Sequence, residues 1–338
     1  MEGGYITRNN FKALVVRETG KGRFTRRIEE RSLADLPAGE VLIRVKYSSL
    51  NYKDALSAIG NRGVTKVYPH TPGIDAAGLV AESESPDFAA GDTVLVTGYD
   101  LGMNTAGGFG QYIRVPARWV VKMPAGLTVK ESMIYGTAGF TAALSVSELI
   151  KGGVTPEQGE VLVSGASGGV GSMAVALLAR SGFEVVAASG KADVKDYLAG
   201  LGASSVIQRD EALDDSGRPL LKARWAAAVD TVGGAYLAAI LKSTRQRAVV
   251  TCCGNVGGAA LETMVYPFIL RGVRLIGIDS ASCPYGQRLE VWRKLAGEWK
   301  LDSLNTLATE IPLAQLDESI DKMLQGESMG RKVVALDE

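Results

Sequence analysis

The chain has 338 residues, 46% hydrophobic and 22% charged, which fits about two soluble globular domains. Lys+Arg and Asp+Glu both number 37, so the formal net charge is zero. That balance argues against a nucleic-acid partner and against a polybasic membrane anchor. One histidine and three cysteines (Cys252, Cys253, Cys283), with no CxxC and no zinc-ligand spacing, exclude a disulfide scaffold and leave no metal expected. A reducing compartment, the cytoplasm, is the simplest home. The start of the chain has no apolar h-region, so no signal peptide is expected. No stretch reads as about 18 uncharged apolar residues, so no transmembrane helix is expected.

Residues 1–10 are polar and are expected to fray. From 11 onward the chain reads as β-rich. Residues 11–17 (FKALVVR) form a short apolar strand, and 40–47 (EVLIRVKY) alternate Val41, Ile43 and Val45 with polar neighbours. Further strands are expected over 73–82, 92–97, 107–115 and 119–123. Short strands at regular spacing suggest a compact barrel-like domain. The character changes near residue 130, where apolar residues take helical spacing to about 150. Strands at 160–164, 184–189, 205–209, 226–231, 248–254 and 273–278 then alternate with helices, which implies a parallel, doubly wound sheet. Helices over 287–300 and 313–325 and a strand over 332–336 close the chain.

The sharpest local signal is Gly165-Ala-Ser167-Gly168-Gly169-Val170-Gly171, between a predicted strand and a predicted helix. Glycines there let the backbone approach a pyrophosphate, and the free N–H groups of the helix N-terminus face its charge. Ala166 stands where G-x-G-x-x-G places its first glycine. Dinucleotide binding is favoured over a plain tight turn because the motif has the required strand–turn–helix context. An NAD site usually carries an acid about 20 residues past the turn. Here Ala188-Ser189-Gly190-Lys191 stands in that place, and a hydroxyl, a glycine and a cation suit a 2′-phosphate. The cofactor expected is NADPH.

The strings Ser49-Leu-Asn-Tyr-Lys-Asp-Ala55, Pro72-Gly-Ile-Asp-Ala-Ala-Gly78, Tyr135-Gly-Thr-Ala-Gly-Phe-Thr-Ala-Ala143, the turn 165–171, Val229-Asp-Thr-Val-Gly-Gly234, Pro267-Phe-Ile-Leu-Arg271, Gly277-Ile-Asp-Ser280 and Gly330-Arg331 give the chain a family likeness. Over about residues 11–337 it resembles the medium-chain dehydrogenase/reductase superfamily, in the zinc-free quinone oxidoreductase branch and its YhdH/YhfP (acryloyl-CoA reductase) group. The resemblance implies an α/β fold with a GroES-like β-barrel domain (11–130), a Rossmann NADPH-binding domain (131–280), a C-terminal return to the first domain (281–338) and a homodimer. The stretch 97–107 resembles the YhfP-like members more than the YhdH-like ones, and it bears on the substrate mouth.

The resemblance places Tyr52 beside the nicotinamide, where its phenol can donate to a substrate oxygen and relay a proton. A half-buried structural tyrosine is the plain alternative. Asn51 either orients the nicotinamide amide or the tyrosine, or forms an Asx turn. Lys53 and Asp54 read as a solvated pair. Asp75 reads as a cap or as a buried partner. Ser167, Gly168, Gly169 and Val170 are expected to hold the pyrophosphate, and Ser189, Gly190 and Lys191 the 2′-phosphate. By resemblance Arg209 lies over the adenine end, Thr137 contacts the cofactor, Ile269 and Ser280 lie near the nicotinamide ribose and carboxamide, and Arg331 reaches the cofactor phosphates. Asn255 lies at the carboxyl edge of the sheet, where ligands bind. His70 is expected to cap a loop, and Cys252 and Cys253 to be small core residues. Trp292 and Trp299 are one helical face apart and read as core or interface.

Two classes of function follow. The first is an NADPH-dependent reductase of an activated C=C bond, with acryloyl-CoA or another 2-enoyl thioester as substrate and a quinone as the close variant. The second is a non-catalytic NADPH-binding sensor on the same fold.

Overall fold

The structure is a computed structural model and describes residues 9–336. The expected fraying of the N-terminus concerns mainly residues 1–8, which lie outside the described residues. Two compact units form. One holds the described residues up to Thr137 with Ala281–Ala296 and the described residues from Ser303 on; the other holds Ala138–Ser280 and Gly297–Asp302.

β1 (Asn10–Gly20) pairs antiparallel with β2 (Arg23–Ser32). Both faces of β1 are buried. Phe11, Ala13 and Val15 form a small cluster, while Leu14 and Val16 enter the main core of the unit. β2 (RFTRRIEERS) has almost no apolar residue, so hydrophobic alternation does not announce it. It forms because β1 offers it an extended partner. β3 (Val41–Leu50), α1 (Tyr52–Ala58), β4 (Asp75–Ser83), β5 (Thr93–Thr97), β6 (Tyr112–Val115) and β7 (Val121–Lys122) follow.

α2 (Val129–Lys151) is kinked at Gly136, whose φ of 50° is left-handed. It is long and apolar enough to cross a membrane by length and composition, contrary to the expectation from the sequence. Most of its apolar window, 83%, is buried inside the protein, so it is a core helix.

The second unit continues with β8 (Val161–Val163), α3 (Gly169–Arg180), β9 (Val185–Ser189), α4 (Lys195–Gly200), β10 (Ser205–Gln208), β11 (Trp225–Asp230), α5 (Gly234–Ser243), β12 (Thr244–Cys252), α6 (Tyr266–Arg271) and β13 (Arg274–Gly277). These six strands run parallel in the order β10-β9-β8-β11-β12-β13. β8, β9 and β11 are buried along their whole length, as strands covered on both faces must be. The order reverses between β8 and β11, which is the topological switch point of a dinucleotide fold.

The chain closes with α7 (Tyr285–Ala296), β14 (Ala308–Pro312), α8 (Leu316–Leu324) and β15 (Arg331–Ala335). β15 pairs antiparallel with β3 and parallel with β14, giving the order β14-β15-β3-β4-β5-β7 with β6 also on β3. The predicted helix over 287–300 is shorter than expected and stops at Ala296, before Gly297. Trp292 is therefore core of the first unit, Trp299 belongs to the second, and they share no helix face.

Candidate active site

In the second unit β8 runs into the glycine turn at the switch point. Gly165 has φ 60°, and a Cβ there would lie 2.4 Å from Thr231 Oγ1. A Cβ on Gly171 would lie 2.2 Å from the Gly165 carbonyl oxygen. Both positions therefore exclude a side chain. Gly168 caps α3 and donates its N–H to Gly165 O at 3.0 Å. Ala166, the departure from the glycine pattern, is fully buried and donates its N–H to Ala188 O at 3.0 Å.

The ends of β8 and β11 are tied together beneath this turn. Ser164 Oγ donates to Asp230 Oδ1 at 2.6 Å and accepts the Thr231 N–H at 3.0 Å, while Thr231 Oγ1 donates to Ser164 O at 2.8 Å. Asp230 also accepts the N–H groups of Val232 and Gly233. Burial pushes its carboxyl above the usual range, against the pull of those hydrogen bonds. Neither Ser164 nor Asp230 stood out in the sequence, although Asp230 lies inside the quoted string 229–234.

Ser189 ends β9, buried, with its Oγ 3.0 Å from Ser167 Oγ. The Lys191 N–H donates to the same Ser189 oxygen at 3.2 Å. The glycine turn and the loop after β9 are thus one hydrogen-bonded piece. Lys191 is half-buried, and desolvation lowers its ammonium pKa. A Cβ on Gly190 would lie 3.1 Å from Arg209 Cδ, so Arg209 runs directly over that glycine. The Arg209 guanidinium stands 5.9 Å from the Tyr236 ring centroid and 3.9 Å from Asp210, on an exposed side chain. Ser167, Ser189, Gly190, Lys191 and Arg209 are therefore gathered at one corner, next to the N-terminus of α3. Asn255 is exposed in the loop after β12, close against Gly233. Ile269 is exposed on α6, and Ser280 is half-buried after β13.

In the first unit Tyr52 opens α1 with an exposed side chain whose hydroxyl has no hydrogen-bond partner among the described residues. The chain around it is held by a buried polar network. Asn51 caps α1: its N–H donates to Asp54 Oδ2 at 2.8 Å. Asp54 Oδ1 accepts the Ile74 N–H at 2.8 Å. Asn51 Nδ2 donates to Asp75 Oδ2 at 2.8 Å, and Asn51 Oδ1 accepts from Arg331 Nη1 at 3.1 Å. Asp75 accepts from Ser49 Oγ at 2.6 Å, from the Thr137 N–H at 2.9 Å and from Thr137 Oγ1 at 2.6 Å. A Cβ on Gly136 would lie 2.5 Å from Ser49 Oγ, so the kink of α2 must be glycine for this network to close.

Two readings of the sequence change here, and a third resolves. Asp54 is not a solvated partner of Lys53: it is fully buried, and burial first and Asp75 second push its carboxyl up to about 7. The signal for it was the spacing Asn51-x-x-Asp54, an acid at the third position of a helix behind an N-cap. Arg331 is 3% exposed, and its guanidinium is spent on Ile134 O, Leu50 O, Asn51 Oδ1 and Ser49 Oγ, so in this structure it binds the network and does not reach for phosphates. Asp75 is both partner and cap, since it caps the second half of α2 from a distant strand. Both polar atoms of the Asn51 side-chain amide, Nδ2 and Oδ1, are engaged inside the network.

His70 is buried with Nε2 2.9 Å from Gly102 O, and burial lowers its pKa; it ties a loop, as expected. Burial first, then Asp230, pushes the Cys253 thiol up to about 12, which makes it a poor nucleophile. Among the described residues no group of three or more His, Cys, Asp and Glu could hold a metal ion.

Comparison with known proteins agrees with this geometry. The family model described as Alcohol dehydrogenase GroES-like domain matches residues 37–125, and the one described as Zinc-binding dehydrogenase matches residues 169–297. Putative quinone oxidoreductase YhfP of Bacillus subtilis is 45% identical over 306 residues, 90% of this chain and 93% of that protein. Its crystal structure with NAD bound gives a TM-score of 0.94 at 43% identity, over 97% of this chain and 100% of that one. Acrylyl-CoA reductase AcuI of Ruegeria pomeroyi is 44% identical over 325 residues, 96% of this chain and 98% of that protein. The yhdH oxidoreductase of Salmonella enterica in complex with NADP gives a TM-score of 0.93 at 44% identity, over 96% of this chain and 100% of that one. The chain therefore belongs to the medium-chain dehydrogenase/reductase superfamily, in the quinone oxidoreductase-type group that contains YhfP, AcuI and YhdH.

Proposed function

We propose that this protein is an NADPH-dependent reductase of an activated C=C bond, acting on acryloyl-CoA or a related 2-enoyl thioester. The observation that carries the reading is the corner formed by Ser189, Gly190, Lys191 and Arg209 beside the glycine turn. The turn has the form a dinucleotide site needs, because Gly165 and Gly171 leave no room for a Cβ against Thr231 and the Gly165 carbonyl, and the backbone therefore runs tightly into the α3 N-terminus. The corner fits a 2′-phosphate, because Arg209 runs over Gly190 next to Lys191 and no acid stands at Ala188–Lys191, where an NAD site would carry one. The bound nucleotide supplies a hydride to the substrate β-carbon.

This chain's own residues supply the rest. Ser167, Gly168, Gly169 and Val170 hold the pyrophosphate, and Lys191 and Arg209 neutralise the 2′-phosphate. Thr137, Asn255, Ile269 and Ser280 complete the cofactor contacts. The Tyr52 phenol donates a hydrogen bond to the thioester carbonyl oxygen, where negative charge grows as hydride arrives. Asn51, Asp54, Asp75 and Arg331 keep the start of α1 in place so that this donor is fixed in advance. In domain terms, residues 131–280 carry the nucleotide, while 11–130 and 281–338 carry the substrate groups. The AcuI relative supports the thioester; YhfP, named a putative quinone oxidoreductase, supports a quinone as the second reading. A cytoplasmic homodimer completes the proposal.

The test is NADPH oxidation by the purified protein with acryloyl-CoA, crotonyl-CoA and a quinone in parallel. Turnover of a thioester at the highest kcat/KM upholds the reading, and turnover of the quinone alone selects the second one. Flat traces with all three, despite NADPH binding, leave a nucleotide-binding sensor and end the enzymatic proposal.

A further inference from the structure

The parallel sheet of the second unit has a second concave feature, at the end of its strands opposite the glycine turn. A cavity of about 490 Å³ is lined there by Arg245, Arg247, Arg274, Gln158 and Gln246 together with small residues, and by no acid. It is built by an irregularity in β12. Trp225 pairs with Thr244 and Ala227 pairs with Val249, so β12 spends five residues where β11 spends two. The extruded residues 245–247 present their side chains outward. Arg274 stands next to them because it pairs with Val249 at the start of β13.

Three arginines in one cavity repel each other, and among the described residues no acid lines the cavity to offset this. Arg245 donates to Gln158 O and Arg274 to Gly152 O, which fixes two guanidinium groups on backbone carbonyls. The Arg247 side chain makes no hydrogen bond or ion pair among the described residues. The φ of Arg247 is 59°, in the left-handed region that non-glycine residues rarely adopt. The whole chain carries no net charge, so this excess is local. Planar guanidinium forks match phosphate oxygens in pairs, and an irregular strand that re-aims such side chains at a cavity is a built feature.

We propose that this arginine cavity is a second anion site, for a small molecule carrying a polyphosphate group, separate from the dinucleotide site at the opposite strand ends. The full-length protein saturated with NADP is titrated with inorganic tripolyphosphate and, in a second arm, with ATP, by calorimetry. Tripolyphosphate is expected to bind without displacing NADP, and to weaken as salt rises. Arg247→Gly, which suits the left-handed backbone, and Arg245→Gln are each expected to weaken it about tenfold or more, with unchanged thermal stability and unchanged basal activity. Tighter binding of ATP than of tripolyphosphate names a nucleotide as the source, and equal binding names the bare polyphosphate; both uphold the site. Absence of binding, competition with NADP, or indifference to both variants overturns it.

Discussion

The Asp75 carboxylate holds Thr137 twice, by its N–H at 2.9 Å and by its hydroxyl at 2.6 Å. A residue of β4 thereby starts the second half of α2 just past the Gly136 kink. The same carboxylate takes the Asn51 amide, so one buried charge fixes both the kinked helix and the start of the helix that displays Tyr52.

Asp75→Ala leaves Arg331 buried without its carboxylate and removes the acceptor of four hydrogen bonds. Breaking a buried charged pair on one side costs about 3–5 kcal/mol. The expected outcome is a loss of that order in urea unfolding. A variant as stable as the parent would show that the network holds nothing.

The Asp54 carboxyl gives a stability profile of unusual sign. Its pKa in the fold is about 7, above the 3.8 of an unperturbed group, so the folded state binds the proton more tightly than the unfolded one. Its contribution is complete at low pH and is lost as pH rises from about 4 through about 7. His70, with its pKa lowered by burial, works the other way and favours the fold as pH rises toward its ordinary value. Urea midpoints of the parent and of Asp54→Asn between pH 5 and pH 8 separate the two, because the variant retains His70. The parent-minus-variant difference is expected to shrink from pH 5 to about pH 7 and to level off above it; a difference flat in pH refutes titration at Asp54.

Lys191→Glu places an acid where the 2′-phosphate is proposed to sit. NADPH affinity is expected to fall about 10- to 100-fold, the worth of one charge-assisted contact, with NADH changed little. Fluorescence titration with both nucleotides measures it. Equal losses for the two would remove the 2′-phosphate assignment while leaving the glycine turn untouched.

Tyr52→Phe deletes one hydroxyl from an exposed side chain that packs no core. Removal of a single donor to a developing oxyanion costs about 100- to 1,000-fold in rate. A drop of that size in kcat is expected, with NADPH affinity and unfolding midpoint unchanged. Retention of full kcat with acryloyl-CoA would assign the donor elsewhere.

The sequence by itself determined the alternation of strands and helices from β8 to β13, the glycine turn and the absence of an acid at Ala188–Lys191. Each of these is written in contiguous residues, where hydrophobic period and backbone freedom act within a few positions. The α1 capping box is equally local, written in Asn51 and Asp54 three residues apart, but the burial of Asp54 is set by Asp75 and Ile74 from elsewhere in the chain. Tertiary structure alone decided the rest. β2 is polar and exists only because β1 pairs with it. Arg331 meets Ser49 across 282 positions, and Gly136 is required only because Ser49 and Asp75 arrive beside it. The arginine cavity arises from a mismatch in count between two strands. Hydrogen bonds and charges act over a few ångströms in space, and which groups come that close is set by the path of the whole chain.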